Sequence, residues 1–346
     1  MQDKQDLFII EEHIVDDIDV FLSVEANRFI GLPTGVKVYK DELYVIDSGF
    51  HIITRIDHEG NKLFSIGNHG RGPGEFDAVS GFWVFDESFL VYDYNGFKFI
   101  VYDREGKLVE ENIIEANPVN PDGFPPNIPL TVHAISHYQL LIPSRGKNGS
   151  LFSIVNLKTD EQIFAGKAIG EYVQSYDHDS EIESLSRGEI PAMALNFVIL
   201  TSSSSGIFLF QQTTRKLEKY SLSGEILWEK EINIPAQDDL FDEVARKNKA
   251  IGLKNERRHM FVYARAIEAY EEGVAVLLNM PEGFPVTVAW GSSDGNETSL
   301  ISFKGLEQEE FAFPGSFSIS HKNKRIYFLN NQEGIIYKAE WPNSII

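Results

Sequence analysis

The sequence predicts an all-β protein, a six-bladed β-propeller with four antiparallel strands in each blade. One pattern of short apolar runs and turns recurs six times along the 346 residues, and each copy has room for four strands. Internal repeats of this size are typical of rings and solenoids built from one small unit. The composition agrees, because 25 Phe and 13 Tyr are residues that favour strands.

The repeated unit has two apolar runs, a glycine turn and a third run. The first copy reads LYVID (43–47), IITRID (52–57), HEGN and KLFSIG. In the clearest copies the polar residue ending the first run lies ten residues before the one ending the second, as Asp93 and Asp103 do. The glycine supplies the positive φ of a tight hairpin turn. An alternating segment precedes each unit and provides the fourth strand.

The repeats give approximate blade bounds and leave the last blade one strand short. The blades are expected at residues 34–66, 79–113, 131–166, 193–232, 264–303 and 315–341. The missing strand should come from the N-terminal segment within 7–24, where both LFIIEEHIV (7–15) and IDVFLSV (18–24) have strand character. Such pairing would close the ring and remove an exposed sheet edge.

A glycine-rich segment between the first two blades carries a family resemblance. GNHGRGPGEF (67–76), with ELYVIDSG before it and ITRIDHEGNKLFSIG between, resembles the NHL-like, TolB-like six-bladed propellers of Bacteroidetes. The resemblance implies the propeller fold. It implies little about activity, since many members are exported or lipid-anchored proteins of unassigned function.

Strand direction sorts the connections onto two faces. The turns after the second strand and the links between blades share one face, and all the long connections lie there. They are the glycine-rich link with His69 and Arg71, residues 116–129, residues 167–191, and residues 233–262 with a predicted helix at 236–250. Long loops on one face are typical of a binding surface.

Six polar residues follow the second strands and would surround the mouth of the central channel on that face. They are Asp47, Asp93, Ser144, Gln211, Asn279 and Asn330. Their oxygens could hydrogen-bond a sugar or hold Ca²⁺, with Asp47, Asp93, Asn279 and Asn330 as the candidate metal ligands. Alternatively, these side chains cap strand ends and begin turns. Lactonase-type propellers hold a metal with a Glu/Asn/Asn/Asp set, but the order of residues here does not match it.

Composition excludes some functions and leaves the compartment open. A net charge of −21 argues against nucleic-acid binding. The chain has no cysteine, hence no disulfide or thiolate chemistry, and no apolar run long enough to span a bilayer. MQDKQDLFII lacks the features of a signal peptide. We expect a periplasmic or outer-membrane-associated protein whose export signal has been removed, with a cytoplasmic location as the alternative.

The leading functional hypothesis is a non-catalytic propeller of the bacterial cell envelope. It would bind a small molecule, a glycan or a protein at the loop-rich face. The alternative is a metal-dependent hydrolase, lactonase or lyase with a divalent ion at the channel mouth.

Overall fold

A computed structural model describes residues 11–113, 132–173, 177–256, 258–307 and 316–345. These residues form six separate sheets, each containing the four antiparallel strands of one blade. The predicted six-bladed propeller is confirmed. Two N-terminal strands, β1 (Glu11–Val15) and β2 (Ile18–Ser23), precede the first blade.

Blades one to three follow the chain in order, and within each sheet every strand lies beside the next one in sequence. Their strands are β3 (Pro33–Tyr39), β4 (Glu42–Asp47), β5 (Ile52–Ile56) and β6 (Lys62–Ile66); β7 (Val79–Val84), β8 (Ser88–Asp93), β9 (Lys98–Asp103) and β10 (Leu108–Ile113); β11 (His133–Ser136), β12 (Gln139–Pro143), β13 (Phe152–Asn156) and β14 (Gln162–Ala165).

Blades four to six continue the same order. Their strands are β15 (Val198–Ser203), β16 (Gly206–Gln211), β17 (Lys216–Tyr220) and β18 (Ile226–Glu231); β19 (Ala264–Ala269), β20 (Gly273–Leu278), β21 (Pro285–Ser292) and β22 (Thr298–Glu307); β23 (Ser316–Ser320), β24 (Arg325–Asn330) and β25 (Ile335–Glu340). The first strands of neighbouring blades contact one another, as β3 contacts β23 and β15 contacts β19. The first strands therefore surround the central channel.

The N-terminal segment joins two blades. Strand β2 pairs antiparallel with β25 and supplies the missing outer strand of blade six. Strand β1 pairs parallel with β22, so blade five has five strands instead of the expected four. Of the two N-terminal candidates, residues 18–23 close the ring and residues 11–15 extend the adjacent blade, while residues 7–10 lie outside the described residues.

The hydrophobic core is divided among the six interfaces between blades. Each of six clusters contains buried side chains of two adjacent blades, including the pair of blades one and six. Tyr44 and Phe89, for example, pack across the interface of blades one and two with ring centroids 5.4 Å apart. Burial on this scale is the main stabilising contribution to such a fold. No blade can bury its faces alone, so stability depends on closing the ring.

Two helices lie in the links before blades four and five. Helix α2 (Pro235–Ile251) begins with proline in its first turn and coincides with the segment of helical spacing. Helix α1 (His178–Ser186) lies in the link between blades three and four, where no helix was predicted. Asp177 caps it by accepting hydrogen bonds from the backbone of Asp179 and Ser180 at 3.1 and 3.2 Å. The helices pack together through Leu185 and Ala245, and Phe261 of the link after α2 completes this cluster.

Two faces can now be defined. The loop face carries the links between blades and the turns after each second strand, which among the described residues are 24–32, 48–51, 67–78, 94–97, 144–151, 166–173, 177–197, 212–215, 232–256, 258–263, 279–284 and 331–334. The plain face carries the remaining hairpin turns, such as residues 40–41 and 57–61. Both helices belong to the loop face.

Candidate functional site

Asp47 fixes the entry into blade one. Its side chain is 2% exposed, and its carboxylate accepts hydrogen bonds from four backbone N–H groups. These donors are Gly31 and Leu32, directly before β3, and Gly49 and Phe50 in the following turn. Bonds to a carboxylate are stronger than those between neutral groups. Asp47 therefore joins the incoming link to the turn of its own blade.

Asp93 makes the equivalent connection in blade two. It is fully buried and accepts hydrogen bonds from the backbone N–H of Asp77 at 3.2 Å and of Ala78 at 2.9 Å. Both donors lie directly before β7. The two aspartates thus perform one structural task, at equivalent positions of consecutive blades.

The other four predicted residues have different contacts. Asn330 caps its turn by accepting from the backbone of Gln332 and Glu333, and Asn279 bonds the Val262 carbonyl and the Arg265 side chain at 2.8 Å each. The Gln211 oxygen accepts from Thr214, whereas the Gln211 amide nitrogen and the Ser144 hydroxyl are buried without a hydrogen bond among the described residues. Apart from the bond of Asn279 to Arg265 on β19, these contacts are local to the turns and links.

The contacts of Asp47, Asp93, Asn279 and Asn330, the predicted cation ligands, favour the capping alternative. In the described part of the chain, no hydrogen bond joins any two of the six polar residues predicted at the channel mouth. Backbone N–H groups already occupy the oxygens of Asp47 and Asp93, and such donors would repel a cation placed there.

The glycine-rich link is held against blade two. Its Glu75 carboxylate accepts the Gly72 N–H at 2.8 Å. The buried Lys98 ammonium donates to the Gly72 carbonyl at 3.1 Å and pairs with Glu111, which also accepts the Gly74 N–H. These contacts account for the Gly-x-Gly-Glu part of the motif structurally. Arg71 is exposed and forms no hydrogen bond or ion pair with the described residues.

His69 belongs to a cluster that the sequence analysis missed. One ring nitrogen each of His51 and His69 and a carboxylate oxygen of Asp77 lie within 4.8 Å of one another. His69 Nε2 lies 3.1 Å from Asp77 Oδ1, and His51 Nδ1 lies 2.7 Å from the Asp77 carbonyl oxygen. Asn95 donates to Asp77 Oδ2 at 2.9 Å. These hydrogen bonds from Asn95 and His69 lower the pKa of Asp77. The sequence signal that could have revealed this cluster is the equivalent placement of His51 and Asn95, which lie in the turns after the second strands of blades one and two.

The central channel is crossed by polar contacts between blades. Lys37 of β3 forms an ion pair with Glu268 of β19, and Ser318 of β23 donates to the same carboxylate at 2.9 Å. On β11, burial lowers the pKa of His133 to about 3, with the positive charge of Lys37 adding to the effect. His133 Nε2 accepts the Ser202 N–H at 3.1 Å. The polar groups of these channel residues thus bond to one another or to backbone of the neighbouring blade. The Lys37–Glu268 ion pair joins blade one to blade five, and blade six lies between these two blades.

The surfaces of the two faces differ in polarity. Among the described residues, six large apolar side chains are exposed on links and turns of the loop face, and we call them the apolar tips: Leu32, Phe50, Phe97, Ile169, Leu253 and Phe284. On the turns of the plain face, only Leu222 among the described residues has this character. Hairpin turns there carry charged pairs such as Lys40–Asp41, Asp86–Glu87 and Glu271–Glu272.

Comparisons with known proteins support the fold. The family model described as 6-bladed beta-propeller (DUF5128) matches residues 20–124. A "Putative exported protein" of Bacteroides fragilis is 13% identical with a TM-score of 0.56, covering 95% of this chain and 98% of that one. A member of the DUF4221 family from Bacteroides vulgatus is 11% identical with a TM-score of 0.53, covering 94% and 96%.

A third solved structure has a named activity. Virginiamycin B lyase from Staphylococcus aureus is 12% identical with a TM-score of 0.51, covering 94% of this chain and 100% of that one. Likeness at such identities shows the fold alone. No curated protein matches the chain. The chain is thus a six-bladed β-propeller protein, and its activity has to be argued from its own residues. Among the described residues, no helix is long and apolar enough to span a membrane.

Proposed function

We propose that this propeller binds a partner through the loop face, without catalysis, in the bacterial cell envelope. The observation that carries the proposal is the placement of the apolar tips, which lie on the loop face while the plain-face turns are almost entirely polar. Isolated exposed apolar residues are common on proteins. Among the described residues, eight further exposed apolar side chains lie on outer strands, so the contrast that favours a binding surface is between the links and turns of the loop face, which also carries both helices, and the turns of the plain face.

The first two blades present the best-defined part of this surface. Phe50 lies in the turn held by Asp47, to which its N–H donates, and its ring lies close to Gly31, where an added Cβ would be 3.1 Å from it. Leu32 is fixed by the same carboxylate. Leu32 and Phe50 are therefore held on ordered backbone, so binding through them would cost little ordering entropy. A protein or a glycan with an apolar face fits such tips, since aromatic side chains contribute large contact areas to recognition.

Location in the envelope is the second part of the proposal. It is supported by the similar Bacteroides fragilis structure, which is described as a "Putative exported protein". Fractionation of the native cells with an antibody against the chain tests it. Recovery with periplasmic or membrane fractions is expected, and recovery with the cytosol alone would contradict it.

Site-specific photo-crosslinking tests the binding face. A benzoyl-phenylalanine at position 50, 97 or 284 should give discrete adducts in intact native cells, while the same probe at Leu222 of the plain face should not. Adducts that compete with unlabelled wild type but not with a Phe50→Ser/Phe97→Ser variant would assign the face. Equal adducts from both faces, or none from the loop face, would refute the proposal. A glycan array probed with the same variant pair distinguishes a sugar from a protein partner.

A further inference from the structure

We propose that His51, His69 and Asp77 form a binding site for a first-row transition-metal dication such as Zn²⁺, at the junction of blades one and two on the loop face. Residues 48–51 and 67–78 bring the three together. Two imidazoles and one carboxylate are a donor set suited to Zn²⁺ and its neighbours, whereas Ca²⁺ and Mg²⁺ prefer oxygen ligands alone. The proposal does not depend on partner binding by the apolar tips.

One donor atom of each residue lies within 4.8 Å of the others, which is close enough for the three to share one ion. Zinc takes nitrogen and oxygen ligands at about 2.0–2.2 Å in tetrahedral geometry, which places neighbouring donors roughly 3.3 Å apart. His69 Nε2 and Asp77 Oδ1 are 3.1 Å apart, and the ring centroids of His51 and His69 are 4.2 Å apart with a tilt of 35°. An ion between these donors would replace the hydrogen bond that now joins His69 to Asp77.

Surrounding contacts orient the donors as an outer shell does at known metal sites. His51 Nδ1 donates to the Asp77 carbonyl, so the lone pair of His51 is on Nε2. Asn95 donates to Asp77 Oδ2 and leaves Oδ1 toward His69. Asp93 accepts the Asp77 N–H, which fixes the backbone of the ligand. The backbone of Asp77 is thus held from two sides.

Accessibility and charge also favour an ion. The His69 side chain is 64% exposed and that of Asp77 is 32% exposed, so an ion could enter directly from solvent. Three protein donors leave a fourth tetrahedral position for water or for a donor atom of a bound molecule. The net charge of −21 raises the local concentration of cations at the surface.

Titration of the tag-free full chain with Zn²⁺, followed by calorimetry, tests the site. We expect one saturable equivalent, a higher melting temperature with Zn²⁺, and the intense visible absorption of tetrahedral Co²⁺ when that ion is used. His69→Gln and Asp77→Asn should each weaken binding at least tenfold and remove the Co²⁺ absorption. His51→Asn should do the same without backbone strain, because Asn tolerates the φ of 54° that His51 adopts.

Two further variants separate a built site from adventitious binding. His58→Gln removes an exposed histidine of the plain face outside the cluster, and its binding should equal that of wild type. Asn95→Ala leaves all three donors but frees the Asp77 carboxylate, so the affinity should fall about 10–100-fold. No saturable Zn²⁺ binding in wild type, or binding unchanged in His51→Asn and His69→Gln, would overturn the proposal. Since no partner is present, these outcomes are independent of the crosslinking result.

Discussion

The links from blade one to blade two and from blade four to blade five cross the same face but are held by different chemistry. The first link, residues 67–78, folds back on itself, with Phe76 N–H bonding the Asn68 carbonyl at 2.9 Å, and then enters blade two under the carboxylate of Asp93. The second link contains α2 and is held by the side-chain amides of Gln212, Gln237 and Asn248.

The difference follows from what each side chain can bond. A carboxylate only accepts, so it suits a turn that presents several N–H groups together. An amide both accepts and donates, so it can pair with extended backbone as another strand would. Gln212 does this with blade five, accepting the N–H of Tyr263 and Ala264 at 2.8 and 3.0 Å and donating to the Ala264 carbonyl at 2.8 Å. Carboxylates and glycine therefore hold the short, tight link in place, whereas side-chain amides hold the long link that contains the helix.

The largest effect is expected from adding a methyl group to the tight link. Gly67 has φ +84°, and a Cβ there would lie 2.1 Å from the buried Phe76 ring. Gly67→Ala should therefore lower the free energy of unfolding by about 4 kcal/mol, from backbone strain and a displaced core residue. Gly252→Ala in the long link is the matched control. Its φ of +59° and ψ of −134° are strained for alanine, but the nearest atom would be 3.9 Å away, so only backbone strain of about 1–3 kcal/mol remains. Equal losses in urea unfolding would contradict this distinction.

Next in size is removal of the two kinds of anchor. Asp47→Ala leaves four backbone N–H groups without their acceptor and should cost about 3–4 kcal/mol of unfolding free energy. Gln212→Ala removes three bonds of a neutral amide and should cost about 2 kcal/mol. Urea denaturation of both variants measures the ratio. A smaller loss for Asp47→Ala than for Gln212→Ala would show that the carboxylate is not the stronger anchor.

Exchanging the carboxylate for an amide, or the amide for a carboxylate, tests the same comparison, and we expect a smaller effect on the free energy of unfolding. Asp47→Asn would turn an N–H group toward the backbone donors of Gly31 or Leu32, and Gln212→Glu would face a carboxylate toward the Ala264 carbonyl. Each swap should cost roughly 1–2 kcal/mol, because one bond becomes a contact between like groups. Thermal unfolding of the two swaps and of the alanine variants provides the test. A swap that costs nothing, while its alanine variant is destabilised, would indicate that side-chain shape, rather than bonding type, matters.

The sequence was sufficient for the fold because each blade repeats one pattern, and for the place of the six polar residues because they end equivalent strands. Their roles depended on which backbone N–H groups the links bring to them, and Gly31 precedes Asp47 by 16 residues. For the same reason, the sequence did not reveal that His51 and Asp77 lie together. Helix α1 was missed because only Leu185 among its residues is buried, so it lacks an apolar stripe. Both N-terminal stretches had strand character, and only pairing could assign them to blades five and six.

The smallest expected effect is on the pH dependence of stability, and it arises from a buried carboxyl group that lacks the backbone N–H donors of Asp47. Burial raises the pKa of Glu218 in blade four, and the single hydrogen bond from Tyr220 opposes this only in part. Because the folded-state pKa lies above the unfolded value, the folded chain binds more protons, and stability is lost as pH rises through the folded pKa.

Glu218→Gln removes this dependence. The variant should therefore gain melting temperature relative to wild type at pH 8, and the gain should shrink toward pH 4. Glu225→Gln, in an exposed turn, should show no such trend. A difference between Glu218→Gln and wild type that is constant with pH would mean that Glu218 is solvated as well in the folded chain as in the unfolded one, and that its single phenol donor suffices where Asp47 has four backbone donors.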